Sequence, residues 1–214
     1  MRKFLRKIML AIFTSSVSII AIYAVVFMLP FRSSDLAHEV FYTIEKAGRN
    51  SERLGVILGD SVCAQLWPYR EDSPNISHLG CNQAITPAGT YMLLKKYLEH
   101  NPQTKEVFYI IRPQTLGNDL NLNYTYQYFV IPFINSESMR LLDDETQQKL
   151  YDKFGKFFVE NKYIKRFLLN NNLFMKIYLR YIRSWPEKKY IHRLSRRAII
   201  YLPKIRTLCS ERNV

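Results

Sequence analysis

The triplet Gly59-Asp60-Ser61 directly follows the apolar run Leu54-Gly55-Val56-Ile57-Leu58. A serine just past a buried strand sits where a helix begins. Its hydroxyl is then placed to act as a nucleophile, and its backbone N–H faces the position of an oxyanion. Gly59 lets the chain turn there without a Cβ clash. The chemistry this suggests is attack on an ester carbonyl. Of the four histidines, His78 falls in a loop near Cys81, His100 ends an expected helix, and His192 lies in a basic helical stretch. His38 precedes the serine.

The triplet is not the nucleophile elbow of α/β-hydrolases, which needs glycine two residues after the serine, where this chain has Cys63. Over residues 54–133 the chain resembles the SGNH (GDSL) hydrolases, and more narrowly the membrane-anchored bacterial SGNH-like proteins that modify cell-envelope polymers. Gly59-Asp60-Ser61 matches the first block of that family. The resemblance makes Ser61, with Asp60 beside it, the catalytic element and gives one oxyanion donor to the Ser61 N–H. Gly80-Cys81-Asn82 resembles the second block, so Gly80 and Asn82 are implied as a further donor region. Gly117-Asn118-Asp119 resembles the third block but lacks its spacer residue. Asn118 is the implied third donor. The family's C-terminal Asp-x-x-His does not occur after Ser61. Asp35-Leu36-Ala37-His38 has that pattern in the wrong chain order. The chain is expected to be either a truncated member or one that has lost its general base.

Strand, loop, helix, strand is the pattern of a βαβ unit with a parallel sheet, and reactive groups gather beyond the carboxyl ends of such strands. The expected strands are residues 54–58 and Val107-Phe108-Tyr109-Ile110-Ile111. The helix between them starts at Thr86-Pro87-Ala88, with proline in the first turn. Residues 67–87 read as loop. Tyr124 to Phe133 reads as an aromatic strand or extended edge. Residues 143–183 read as helical, and 190–210 as a basic amphipathic helix.

The first 53 residues read as a membrane anchor and stalk. Ile8 to Leu29 has no charged side chain and spans about 33 Å as a helix, against a hydrocarbon core of roughly 30 Å. A cleavable signal would have a shorter apolar core and a small-x-small site, which the run does not offer. Arg2, Lys3, Arg6 and Lys7 precede it, so the positive-inside rule places the N-terminus in the cytoplasm and the main domain outside. The expected order is a basic tail 1–7, a transmembrane helix 8–29, a stalk 30–53 and an SGNH-like domain 54–214. The expected fold class is α/β: one N-terminal transmembrane helix, then a partial flavodoxin-like three-layer α/β/α domain with a parallel sheet and a helical C-terminal part. The expected location is the bacterial inner membrane, as a single-pass protein.

The formal net charge of +13 is unevenly placed. Residues 161–214 hold fourteen basic and two acidic residues, while 8–160 are slightly acidic. The basic end reads as a solvated helix face or as a contact for anionic lipid heads. No nucleic-acid motif accompanies it. No His/Cys cluster has metal-ligand spacing and no cofactor motif is present. Cys63 and Cys81 are either a disulfide or two buried thiols. Two functions follow. One is a membrane-anchored serine esterase or O-acyltransferase acting on a cell-envelope polysaccharide or other acyl ester. The other is a non-catalytic envelope assembly or binding module on the same fold.

Overall fold

The computed structural model describes residues 2–28, 37–120, 124–170, 174, 177 and 193–214. The chain divides into two compact units, Met1–Arg32 and Ser33–Val214. The first holds a single helix, α1 (Arg2–Met28). The second holds α2 (His38–Ala47), β1 (Gly55–Gly59), α3 (Ser61–Leu66), β2 (Ile76–Gly80), α4 (Thr86–His100), β3 (Glu106–Ile110), α5 (Ile131–Phe133), α6 (Asp144–Phe154), α7 (Lys156–Glu160), α8 (Lys162–Asn170) and α9 (Arg196–Glu211).

The expected transmembrane helix and single-pass inner-membrane location are corrected here. Among the described residues no helix is long and apolar enough to cross a membrane. In α1 the uncharged run with described side chains extends from Ile8 to Ala21, about 21 Å at helical rise. It carries Thr14, Ser15, Ser16 and Ser18, and the Thr14 hydroxyl donates back to the carbonyls of Leu10 and Ala11. The fold class is therefore α/β with a three-stranded parallel sheet, without a membrane-crossing helix among the described residues.

The sheet has the order β2-β1-β3. β1 pairs parallel with both neighbours, Gly59 standing opposite Gly80 on one side and Ile110 on the other. Its continuous apolar run suits this central place, since all five residues are buried. Val56, Leu58 and Leu79 face the main core with Leu93, Leu94 and Tyr97 of α4, and the Tyr97 hydroxyl donates to Ser77 Oγ at 3.1 Å. α4 begins at Thr86 with Pro87 in its first turn, as the sequence predicts.

Two segments differ from expectation. The stretch 67–87 contains strand β2 as well as loop. Its residues Ile76-Ser77-His78-Leu79-Gly80 carry only two apolar side chains, so hydropathy conceals a strand that its neighbour β1 makes obvious. Tyr124 to Phe133 is helical: a π-helical stretch, Tyr126–Val130, runs into α5. Tyr126, Phe129, Val130 and Phe133 are buried at three- and four-residue steps, a period that the dense aromatic content masked. Within the segment read as stalk, α2 buries Val40, Thr43 and Ala47 and belongs to the unit Ser33–Val214.

The C-terminal helix is held by a buried arginine. Arg197 of α9 is fully buried; it donates to Glu145 Oε1 and Thr146 Oγ1 at 2.5 Å each, and its Nε lies 3.5 Å from Asp119 Oδ1. Asp119 also pairs with Lys149 at 2.5 Å. One guanidinium thus joins α9, the start of α6 and the loop after β3. Removing one partner of a buried ion pair leaves the others uncompensated, at about 3 kcal/mol or more. Arg197→Ala is expected to lower the free energy of unfolding by that amount, while Arg196→Ala on the exposed flank leaves it nearly unchanged. Equal effects of the two substitutions in an unfolding titration would contradict this picture.

Candidate functional site

The candidate site lies beyond the carboxyl ends of the three strands. β1 ends at Gly59, and Asp60 is the N-cap of α3, so Ser61 is its first helical residue. The turn is tight. A Cβ on Gly59 would collide with the carbonyl of Ile110 and stand 2.5 Å from Cys63 Cβ. A Cβ on Gly80 would come 2.7 Å from the Ala64 nitrogen. Gly59 is hemmed by the backbone of β3 as well as by α3, and Gly80 by the backbone of α3, so neither position has room for a Cβ.

Asp60 is the organising group. Its Oδ1 accepts from the Val62 N–H at 2.9 Å and caps α3. Its Oδ2 accepts from the Arg112 N–H at 3.0 Å and from the Thr115 hydroxyl. The Arg112 Nε lies 3.7 Å away. Burial alone would raise the pKa of this carboxyl. The donors from Thr115, Arg112 and Val62, with the nearby guanidinium, outweigh that and hold it below the ordinary aspartate value. A carboxylate bound this way brackets the end of β1 to the loop after β3 and leaves Ser61 at the surface of the bracket.

Ser61 is half-buried and has no hydrogen bond to another described residue at its hydroxyl. Asn82 caps the 3₁₀ turn Gln83–Ile85, its side-chain oxygen accepting from the Ala84 N–H at 2.9 Å. Asn118 is buried, and its N–H donates to the Thr115 carbonyl to close the turn Pro113–Gly117. That turn places Asn118 three residues from Thr115, which binds Asp60 directly. Gly80 is the last residue of β2, paired with Gly59. The structure thus brings Asp60, Ser61, Gly80, Asn82 and Asn118 to one end of one sheet, with Asn82 and Asn118 each engaged in shaping its own turn.

Three neighbours were not singled out from sequence. Arg112 is about half exposed, and its Nη2 donates to Gln83 Oε1 at 2.8 Å across the mouth of the site. Thr115 completes the Asp60 bracket. Arg112 immediately follows the apolar run of β3, which is the one sequence signal that could have marked it.

The histidines serve elsewhere. The His78 ring meets Ser73 Oγ at 2.9 Å, with Nδ1 buried and unpartnered. His100 Nδ1 meets the Lys96 carbonyl at 2.9 Å. His38 is exposed at the start of α2. None of these three is bonded to Ser61. Asp35 and His192 lie outside the described residues. Cys63 and Cys81 are free thiols, and burial pushes Cys63 up to about 12 and Cys81 higher still. Burial thus favours the protonated thiol, the less nucleophilic form, at both positions. Among the described residues no group of His, Cys, Asp and Glu could hold a metal ion. A groove of about 370 Å³ lies between Ile44, Met92, Phe133 and Leu141 and includes none of the site residues.

No family model, curated protein or solved structure matches this chain.

The depressed Asp60 pKa links the site to stability. A carboxyl whose folded value is lowered contributes stability above its unfolded value of about 3.9, and that stability is lost as pH falls through the folded value. Wild type is therefore expected to lose stability on acidification below about pH 5. Asp60→Asn is expected to be less stable at pH 7 and flatter through the acid window. Parallel acid titrations of the two proteins, followed by circular dichroism, check this; an unchanged pH dependence in the variant would contradict it.

Proposed function

We propose that this chain is an SGNH-like serine esterase or O-acyltransferase whose nucleophile is Ser61. The observation that carries the reading is the placement of Ser61 at the first turn of α3, directly past the central strand. Ser61 is half-buried there, and its neighbour Asp60 is committed to holding the turn. In this reading Ser61 Oγ bonds to an ester carbonyl carbon as its proton passes to a base. The N–H of Ser61, with donors around Gly80 to Asn82, holds the oxyanion. The carbonyl re-forms, the alcohol leaves with a proton, and the acyl-serine passes its acyl group to water or to a sugar hydroxyl. Arg112 at the mouth suits an acceptor or acyl group bearing negative charge. The resemblance to envelope-modifying proteins supports an acylated cell-envelope polymer as the substrate.

A second reading is a non-catalytic binding or assembly module on the same scaffold. It is favoured by one observation: His78 and His100 are engaged with Ser73 and Lys96, and His38 is exposed at the start of α2. Here Ser61 and Arg112 bind an acylated or anionic saccharide without turning it over.

Labelling with a fluorophosphonate separates the two. The esterase reading expects a labelled band in wild type that disappears in Ser61→Ala, while Cys63→Ala still labels. Equal labelling of wild type and Ser61→Ala, or none in either, would defeat catalysis by Ser61 and leave the binding reading.

A further inference from the structure

With the sheet order β2-β1-β3, β3 is an edge strand. Along a strand, successive residues turn their N–H and C=O to opposite sides. The Glu106 N–H donates to the Leu54 carbonyl at 3.2 Å and the Arg112 N–H to Asp60 Oδ2 at 3.0 Å, both toward β1. Phe108 and Ile110 share that direction. Val107, Tyr109 and Ile111 therefore turn their backbone groups outward, and among the described residues nothing bonds to them there. Such an edge is a template for another strand, and folded proteins commonly blunt it with charge or proline. The run Val107 to Ile111 has neither. Side chains alternate across the sheet as well. Val107 and Tyr109 pack against the main core, while Glu106, Phe108 and Ile110 stand on the other face, where Phe108 is 42% exposed.

A second copy of this chain fits the edge in one register. In antiparallel pairing, residues that exchange hydrogen bonds stand opposite each other. A two-fold axis at Tyr109 sets Tyr109 against the partner's Tyr109 and Val107 against the partner's Ile111, so every outward N–H and C=O is used. The same register places Phe108 opposite the partner's Ile110 and Glu106 opposite the partner's Arg112. Symmetry repeats both contacts, so apolar meets apolar and anion meets cation at each end. An axis at Phe108 instead sets Glu106 against the partner's Ile110 and loses the charge match. Glu106 is exposed and has no ion pair among the described residues. Arg112 is anchored through Nη2 on Gln83 and Nε near Asp60, which leaves Nη1 for a further carboxylate. We infer that β3 pairs antiparallel with β3 of a second copy, joining two three-stranded sheets into one. The inference stands apart from the chemistry at Ser61, although it brings the partner's Glu106 beside the Arg112 at the mouth of that site.

The test reads this edge residue by residue, because α1 exposes apolar side chains that could associate on their own. Amide hydrogen exchange of the full-length wild type is followed at single-residue level in dilute and in concentrated solution. The N–H groups of Val107, Tyr109 and Ile111 are expected to exchange about tenfold more slowly, or slower still, when concentrated. Those of Phe108 and Ile110, bonded to β1, stay slow in both. Glu106→Arg sets two guanidinium groups opposite each other and is expected to abolish the concentration-dependent slowing. Register is read by mild oxidation of full-length Cys209→Ser chains. Phe108→Cys combined with Ile110→Cys is expected to give a disulfide-linked dimer, and either substitution alone is not. Exchange of the three outward N–H groups at rates independent of concentration, fast or slow, would overturn the inference. So would slowing that survives Glu106→Arg, or cross-linking of a single variant equal to that of the pair.

Discussion

One buried carboxylate holds the candidate site together. Asp60 accepts from the first turn of α3, from the backbone after β3 and from the Thr115 hydroxyl. It therefore ties the start of α3 to the loop after β3, two pieces of chain that β pairing alone leaves free once the strands end. An ionised carboxylate in a buried place costs desolvation energy unless several donors satisfy it. Here they do, and the folded pKa is lowered rather than raised. The same geometry explains why Gly59 and Gly80 carry no side chains. The helix begun by Asp60 lies against the end of β2, and it and the Ile110 carbonyl of β3 close in on Gly59, leaving no room for a Cβ at either glycine.

Stability and site are coupled through the loop after β3. Its first half binds Asp60 through Arg112 and Thr115. Its second half binds the C-terminal helix, where the Ser195 N–H donates to the Leu116 carbonyl at 2.8 Å and Arg197 faces Asp119. Asn118 stands between the two anchorages. The basic α9 is therefore part of the scaffold, and its most consequential charge is buried. Among the described residues of the C-terminal region, Lys162, Arg166, Arg196 and Arg206 lie on exposed helix faces, where charges shape interactions more than folding.

What was legible in the sequence followed from local patterns strong enough to survive tertiary context. The uniform apolar run before Gly59 marked β1, the proline at position 87 marked the start of α4, and Gly59-Asp60-Ser61 marked the strand-to-helix turn. β2 was concealed because its burial comes from pairing with β1, and Ser77 and His78 interrupt any apolar alternation. The Tyr124 to Phe133 segment misled because aromatic residues favour strands in general, whereas here their four-residue period packs a helical turn. The apolar N-terminal run suggested a membrane span from its lack of charge, although the described side chains of α1 do not supply the required length. The role of Asp60 was half legible. Its position was plain, but its partners Arg112 and Thr115 lie more than fifty residues away, and only the fold reveals them.

The claim that Asp60 brackets distant segments is tested most directly by amide hydrogen exchange on wild type and Asp60→Asn, read segment by segment under native conditions. The account expects exchange in the variant to quicken together in residues 60–66 and 110–118, with α6 unchanged. Faster exchange confined to residues 60–66, with 110–118 as protected as in wild type, would reduce Asp60 to a simple helix cap and contradict the account.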